Sequence, residues 1–154
     1  MRRTEIFNAL VTSKLLYGLS TIVLTTADRR RLDGFQNQCL RKIWNILLLY
    51  LSRITNARVL EVSSQIASSE RVLGTQLVLY GKAARAPVGI LLRDCVFCPG
   101  SLRPASDRYV RRIGRPRLEW ATNVQNAAMR SAGSWATLET AVMEAETWKK
   151  MLAL

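Results

Sequence analysis

All four prolines of this 154-residue chain fall between residues 87 and 117, at Pro87, Pro99, Pro104 and Pro116. Proline lacks a backbone donor, clashes with the preceding helical turn, and pushes the residue before it toward extended geometry. Gly89, Gly100 and Gly114 share the window. The chain is therefore partitioned by its own backbone chemistry. Before residue 87 it is proline-free and periodic; inside the window the periodicity is lost; afterwards it returns. We expect a helical domain over 1–86, a basic linker or arm over 87–117 and a C-terminal helical hairpin over 118–154.

Apolar spacing supports helices on both sides. Residues 4–24 read as one helix with Ile6, Leu10, Leu16 or Tyr17 and Leu24 on a face, and Gly18 weakening its middle. Thr25-Thr26 cap a second helix that carries Asp28 in its first turn. Its apolar stripe is Leu32, Phe35, Cys39, Leu40, Ile43 and Leu47. Arg29, Arg30, Gln36, Gln38, Arg41 and Lys42 occupy its other faces, with Arg31 nearer the stripe, where it would snorkel. Thr55-Asn56 opens a short helix to about Val62. Ser68-Ser69-Glu70 opens another with Val72 or Leu73, Leu77, Tyr80 and Ala84 inward, and Ala86-Pro87 stops it. Beyond the window, Pro116 suits the first position of a helix bearing Trp120, Val124, Ala127 and Ala128, closed by Gly133. Ser134 caps a last helix carrying Leu138, Ala141 or Val142, Ala145 and Trp148 to the C-terminus. Only a short piece around Cys95–Cys98 reads as extended. The expected fold is mainly α, with about six helices and one long basic Pro/Gly-containing loop.

Charge narrows the partner. Lys and Arg number 23 against 11 Asp and Glu, with no His, for a net charge of +12. Residues 1–117 hold 20 of the basic and 7 of the acidic residues; the remainder holds 3 and 4. Such an imbalance implies a polyanionic partner. Most of the cations are arginines, whose planar fork of donors matches phosphate. Nucleic acid leads and an acidic membrane surface comes second.

The densest cluster is RRIGRPRLEW, residues 111–120. Gly114 and Pro116 stiffen the entry to a helix, Trp120 anchors it, and Arg111, Arg112, Arg115 and Arg117 lie outside. Free backbone donors and fixed cations then converge on one phosphate site. These four are the first candidates for backbone contacts; Arg29, Arg30, Arg41 and Lys42 come next, then Lys82 and Arg85. Tyr17, Phe35, Tyr80, Trp120 and Trp148 are expected to pack the core rather than stack on bases. Gly-Arg-Pro is also the centre of minor-groove hooks, but here Ile113 precedes it and it occurs once.

Several classes of function recede. There is no His for acid–base work, no phosphate loop ending in Gly-Lys-Ser/Thr, and no G-x-S-x-G elbow. Cys95 and Cys98 have C-x-x-C spacing, but Cys39 is the only other thiol, too few ligands for a structural zinc site. No catalytic residue, metal or cofactor is expected. Leu47-Leu48-Leu49-Tyr50-Leu51 is too short to span a bilayer, and no secretory signal is evident, so an intracellular, nuclear or cytoplasmic protein without a membrane partner is expected.

Four stretches, in order, resemble the C-terminal, thumb-side and extension region of the reverse transcriptase of non-LTR (LINE-type) retrotransposons. Residues 8–18, NALVTSKLLYG, are similar to its post-palm helix ending in leucine-tyrosine-glycine. Residues 32–43, LDGFQNQCLRKI, are similar to its leucine-x-x-phenylalanine-glutamine helix ending in leucine-arginine. QLVLYGKAAR at 76–85 and GRPRLEW at 114–120 resemble a glycine-containing helix and a later turn closing on tryptophan, and Trp148-Lys149 fits the final helix. The resemblance implies a thumb-like segment that tracks RNA, DNA or a hybrid and docks on a polymerase palm and fingers. The family's palm motif needs an Asp-Asp pair for two magnesium ions, and none occurs here. Lys82 stands where the family often has His, and its Cys/His knuckle has no counterpart beyond Cys95 and Cys98. The other readings are a helical interaction or structural module, docking through Leu138, Val142, Ala145, Trp148 and Leu152, and a non-functional remnant of such an element.

Overall fold

A computed structural model describes residues 2–105 and 119–152, and these are mainly helical, without a strand among them. Two compact units emerge, Met1–Val72 and Leu73–Leu154. The division falls inside a helix rather than at residue 86.

The first unit opens with α1 (Arg2–Phe7), a π-helical turn (Asn8–Thr12) and α2 (Ser13–Leu16), run together. Helix 4–24 is thus shorter than the periodicity suggests. Tyr17 leaves helical geometry at ψ 126°, and Gly18 follows at φ 76°, a conformation open to a residue without Cβ. Gly18 therefore ends the helix instead of weakening its middle. The buried residues are Thr4, Phe7 and Thr12, whereas Ile6, Leu10 and Tyr17 face solvent, Tyr17 at 88% exposure. The wider π turn brings Phe7 and Thr12, five residues apart, onto one face, a spacing that a 3.6-residue reading skips.

Helix α3 (Thr26–Ile43) begins with a reciprocal cap: Thr25 Oγ1 accepts from the Asp28 amide at 3.2 Å and Asp28 Oδ2 accepts from the Thr25 amide at 3.1 Å. The Thr25 hydroxyl, donating to Asp28 Oδ2 at 2.6 Å, and then the Thr25 amide hold the Asp28 carboxyl below its usual value. Its inner face differs from the expected stripe. Gln36, Asn37, Leu40 and Arg41 are buried, while Phe35 and Leu47 are exposed. After α4 (Leu49–Ser52) comes α5 (Asn56–Val62), capped by Thr55 as anticipated.

Helix α6 (Ser68–Arg85) starts under α3's polar residues. Ser68 N donates to Gln36 Oε1 at 2.7 Å, and Gln36 Nε2 donates to Ile66 O at 2.9 Å. Asp33 accepts from the amide and hydroxyl of Ser69 at 2.9 and 2.7 Å, so an acid from another helix caps this N-terminus. Gln65 Oε1 takes bonds from Asn8 at 3.0 Å and Arg71 at 2.7 Å.

The second unit is built on the rest of α6, with α7 (Leu91–Val96), α8 (Trp120–Ala132), α9 (Trp135–Met143) and α10 (Ala145–Met151). Leu77, Tyr80, Ala83 and Ala84 pack with Phe97, Leu102, Val124, Ala127, Ala128, Leu138, Val142 and Trp148. Tyr80 meets Phe97 edge to face, centroids 5.2 Å apart, and lies 6.2 Å from the Trp148 ring. Burial pushes the Tyr80 hydroxyl up to about 12, opposed by Gln125, whose own amide donates to Leu102 O at 3.1 Å.

Of the expected linker, residues 106–117 lie outside the described residues, and the described part carries structure of its own. Residues 87–105 include α7 and an antiparallel bridge of Phe97 with Pro104, and they bury Phe97, Leu102 and Ala105. Three apolar side chains at irregular spacing found the core because a bridge and turn, not a periodic element, present them. Glu119 is extended, so α8 starts at Trp120 rather than at Pro116, which lies outside the described residues. Trp120 packs against the core as expected. The last helix is two: Glu144, at φ −100° and ψ 115°, breaks it between α9 and α10.

Candidate nucleic-acid interface

The candidate cations separate by what their side chains touch. Arg111, Arg112, Arg115 and Arg117 lie outside the described residues. Arg41 is buried; its guanidinium donates to Leu47 O at 2.7 Å, to Ile54 O, and to Asn56 Oδ1 at 3.1 Å. It clasps the α4 loop to α3 and presents nothing to a ligand, which corrects its assignment as a backbone contact. The reason is angular: on α3 Arg41 shares the inward face of Asn37 and Leu40, one step from outward Lys42.

Two further arginines are spent in the same manner inside the second unit. Arg85 is half-buried and donates to Val142 O at 2.7 Å, near the end of α9. Arg93 donates to Ala84 O and, at 3.3 Å, to Ala86 O, closing the end of α6. Helix C-termini leave carbonyls without partners, and a cation there satisfies both the hydrogen bond and the dipole. Arg85 is therefore a positioning group first.

The remaining candidates face water. Arg30, Lys42 and Lys82 are exposed, and Arg29 is half-buried. Arg31 is exposed too, not laid along an apolar stripe. Together with Phe35, Gln38 and Lys42 it makes a row at steps of four, three and four residues, which is one face of a helix. Phe35, expected in the core, is 43% exposed in the middle of that row. The spacing of Arg31, Phe35 and Lys42 was visible in the sequence; treating Phe35 as core hid it. Asp28 precedes Arg31 by one turn; its carboxylate is engaged by Thr25 and also attracts the Arg31 guanidinium.

Trp148 and Tyr80 lie in the core as expected, 1% and 0% exposed. Trp148 Nε1 donates to Leu77 O at 3.1 Å and crosses α6 at Gly81, where an added Cβ would stand 2.4 Å from the indole nitrogen. Gly81 and Trp148, far apart in sequence, are thus one packing unit. Cys39, Cys95 and Cys98 are free thiols, and Cys98 Sγ lies 3.5 Å from Pro104 O. Among the described residues no group of three or more His, Cys, Asp or Glu gathers as a metal site, and no helix is long and apolar enough to cross a membrane.

Comparison with protein-family models, with curated proteins and with solved structures found no match.

Proposed function

We propose that this chain is a nucleic-acid-backbone-binding, thumb-side segment of a LINE-type reverse transcriptase, whose 154 residues hold no Asp-Asp pair of the kind polymerase chemistry uses. One observation carries the reading. A chain of net charge +12 keeps Arg30, Arg31, Lys42 and Lys82 on the surface after Arg41, Arg85 and Arg93 have been taken up by carbonyls. Exposed cations that hold no carbonyl of the fold are what counterion release from a phosphate backbone uses. The order of the leucine-tyrosine-glycine, phenylalanine-glutamine, glycine-helix and tryptophan motifs supports the family. Its partners would be RNA, DNA or their hybrid, and the family's palm and fingers. The role is binding rather than catalysis.

The test is affinity for labelled RNA, DNA and hybrid duplexes across a salt series. Two folded variants accompany the wild type: R111A/R112A/R115A/R117A and R30A/K42A/K82A. Each lost phosphate contact lowers the log–log salt slope by about 0.9 on B-DNA. Slopes reduced in either variant support the reading; binding without salt dependence contradicts it.

A second reading, a helical module that docks on another protein, loses the surface expected for it, since Leu138, Val142 and Trp148 are buried in the core, and draws instead on the exposed run Leu47-Leu48-Leu49-Tyr50-Leu51 beside exposed Trp44. It predicts concentration-dependent association in the absence of nucleic acid.

A further inference from the structure

Helix α3 has two chemically different faces. The inward one serves the fold: Asp33 and Gln36 hold the start of α6, and Arg41 holds the α4 loop. The outward one has Arg31, Phe35, Gln38 and Lys42 in a row. Eleven helical steps separate the terminal cations, about 16 Å of helix at 1.5 Å per residue. A phenylalanine 43% exposed between two cations gains nothing from water and makes no ring contact among the described residues.

We propose that this outward face is a stacking platform for single-stranded nucleic acid. Phe35 takes the face of an unpaired base. Arg31 and Lys42 hold phosphates on either side, and the Gln38 amide reaches the strand between them. The inference rests on the nucleic-acid reading above and narrows it to strand type. Charge complementarity selects a polyanion, and the exposed ring selects one whose bases are open, since in a duplex each base face is covered by its neighbours. Stacking tolerates sequence because every base has a π-face, so the platform discriminates strand state rather than sequence.

The experiment measures fluorescence anisotropy of labelled oligouridine and of a blunt RNA duplex on the full chain, with circular dichroism confirming that each variant is folded. F35A is expected to weaken oligouridine binding by roughly 5- to 150-fold and leave duplex binding unchanged. F35W is expected to keep wild-type affinity, and R31A and K42A to weaken both ligands and flatten the salt slope. If F35A binds oligouridine like wild type while R31A and K42A weaken it, stacking is overturned and the backbone reading survives. Equal losses by F35A on single strand and duplex overturn it as well, since the ring then shapes the protein rather than the ligand. Failure of the wild type to bind either ligand at low salt defeats the backbone reading itself, and this inference with it.

Discussion

The two units bury different chemistry. In Met1–Val72 the deeply buried side chains include Gln36, Asn37, Arg41, Ser63, Ser68, Thr4 and Thr12 beside Phe7, Leu40, Val59 and Val72. Among the described residues of Leu73–Leu154 they are Tyr80, Phe97 and Trp148 surrounded by Leu, Val and Ala, with Gln76 and Gln125 the buried polar exceptions. The first unit is short of buried apolar area and leaves Leu10, Tyr17, Trp44 and Leu47–Leu51 in water. Its elements are joined by hydrogen bonds whose partners are costly to leave unmatched. The second is held by non-directional packing around three rings. Specificity in one comes from which donor meets which acceptor; in the other it comes from shape.

Substitutions that remove one kind of chemistry sharpen the contrast. Trp148→Ala deletes the largest buried ring and the bond to Leu77 O, so chemical denaturation is expected to show a loss of about 3–5 kcal/mol in the second unit. Gln36→Ala removes less volume, but it strands the Ser68 amide and Ile66 carbonyl; a loss of about 2 kcal/mol, confined to the first unit, is expected from amide hydrogen exchange. An equal loss from Gln36→Leu would confirm that polarity rather than volume is the cause; full stability of that variant would break the comparison.

Glycines make the next contrast, with opposite signs. Gly81→Ala drives a Cβ into an indole locked by its hydrogen bond and is expected to destabilise by about 1–3 kcal/mol. Gly34→Ala, in α3 with nothing within 4 Å of the new Cβ, is expected to stabilise by about 1 kcal/mol. Thermal melts of the pair read both. The smallest effect belongs to the α3 cap: Thr25→Ala is expected to cost about 1 kcal/mol at neutral pH. Only the share carried by the Thr25 hydroxyl's bond to the Asp28 carboxylate titrates: with the folded Asp28 held below its ordinary value, that share is present above pH 3.8 and is lost as pH falls through the lowered folded value, while the Asp28 amide bond to Thr25 Oγ1 persists. The gap between wild type and variant should therefore narrow in acid without closing.

Much of the helical order was legible. Thr25, Thr55 and Ser134 act as caps, α6 buries the stripe read from its spacing, and Gly133 ends α8. What failed has physical causes. The π turn shifts the face of the N-terminal run, so Ile6 and Leu10 lie outside and Thr12 inside. Asn45, Arg53 and Ser64 take left-handed φ of 51°, 55° and 51° near helix ends, where no glycine signals it. Phe97 and Leu102 reach the core from a bridge and turn with no period to read. Of the candidate cations, charge alone could not separate Arg41 from Lys42. That distinction requires knowing which face of α3 meets the α4 loop, and the carbonyls of Leu47 and Ile54 that set it come from residues with no polar side chain.

Arg41 and Lys42 are adjacent in sequence and opposite in role, which makes them the most direct test. Unfolding free energies of R41A and K42A should be measured side by side at neutral pH. R41A is expected to lose about 3 kcal/mol, because a buried guanidinium leaves its acceptors unmatched. K42A is expected to stay within about 0.5 kcal/mol of wild type, as an exposed side chain that builds nothing. A stable R41A, or a K42A as damaged as its neighbour, would contradict the division of this chain's cations into those that build the fold and those left exposed.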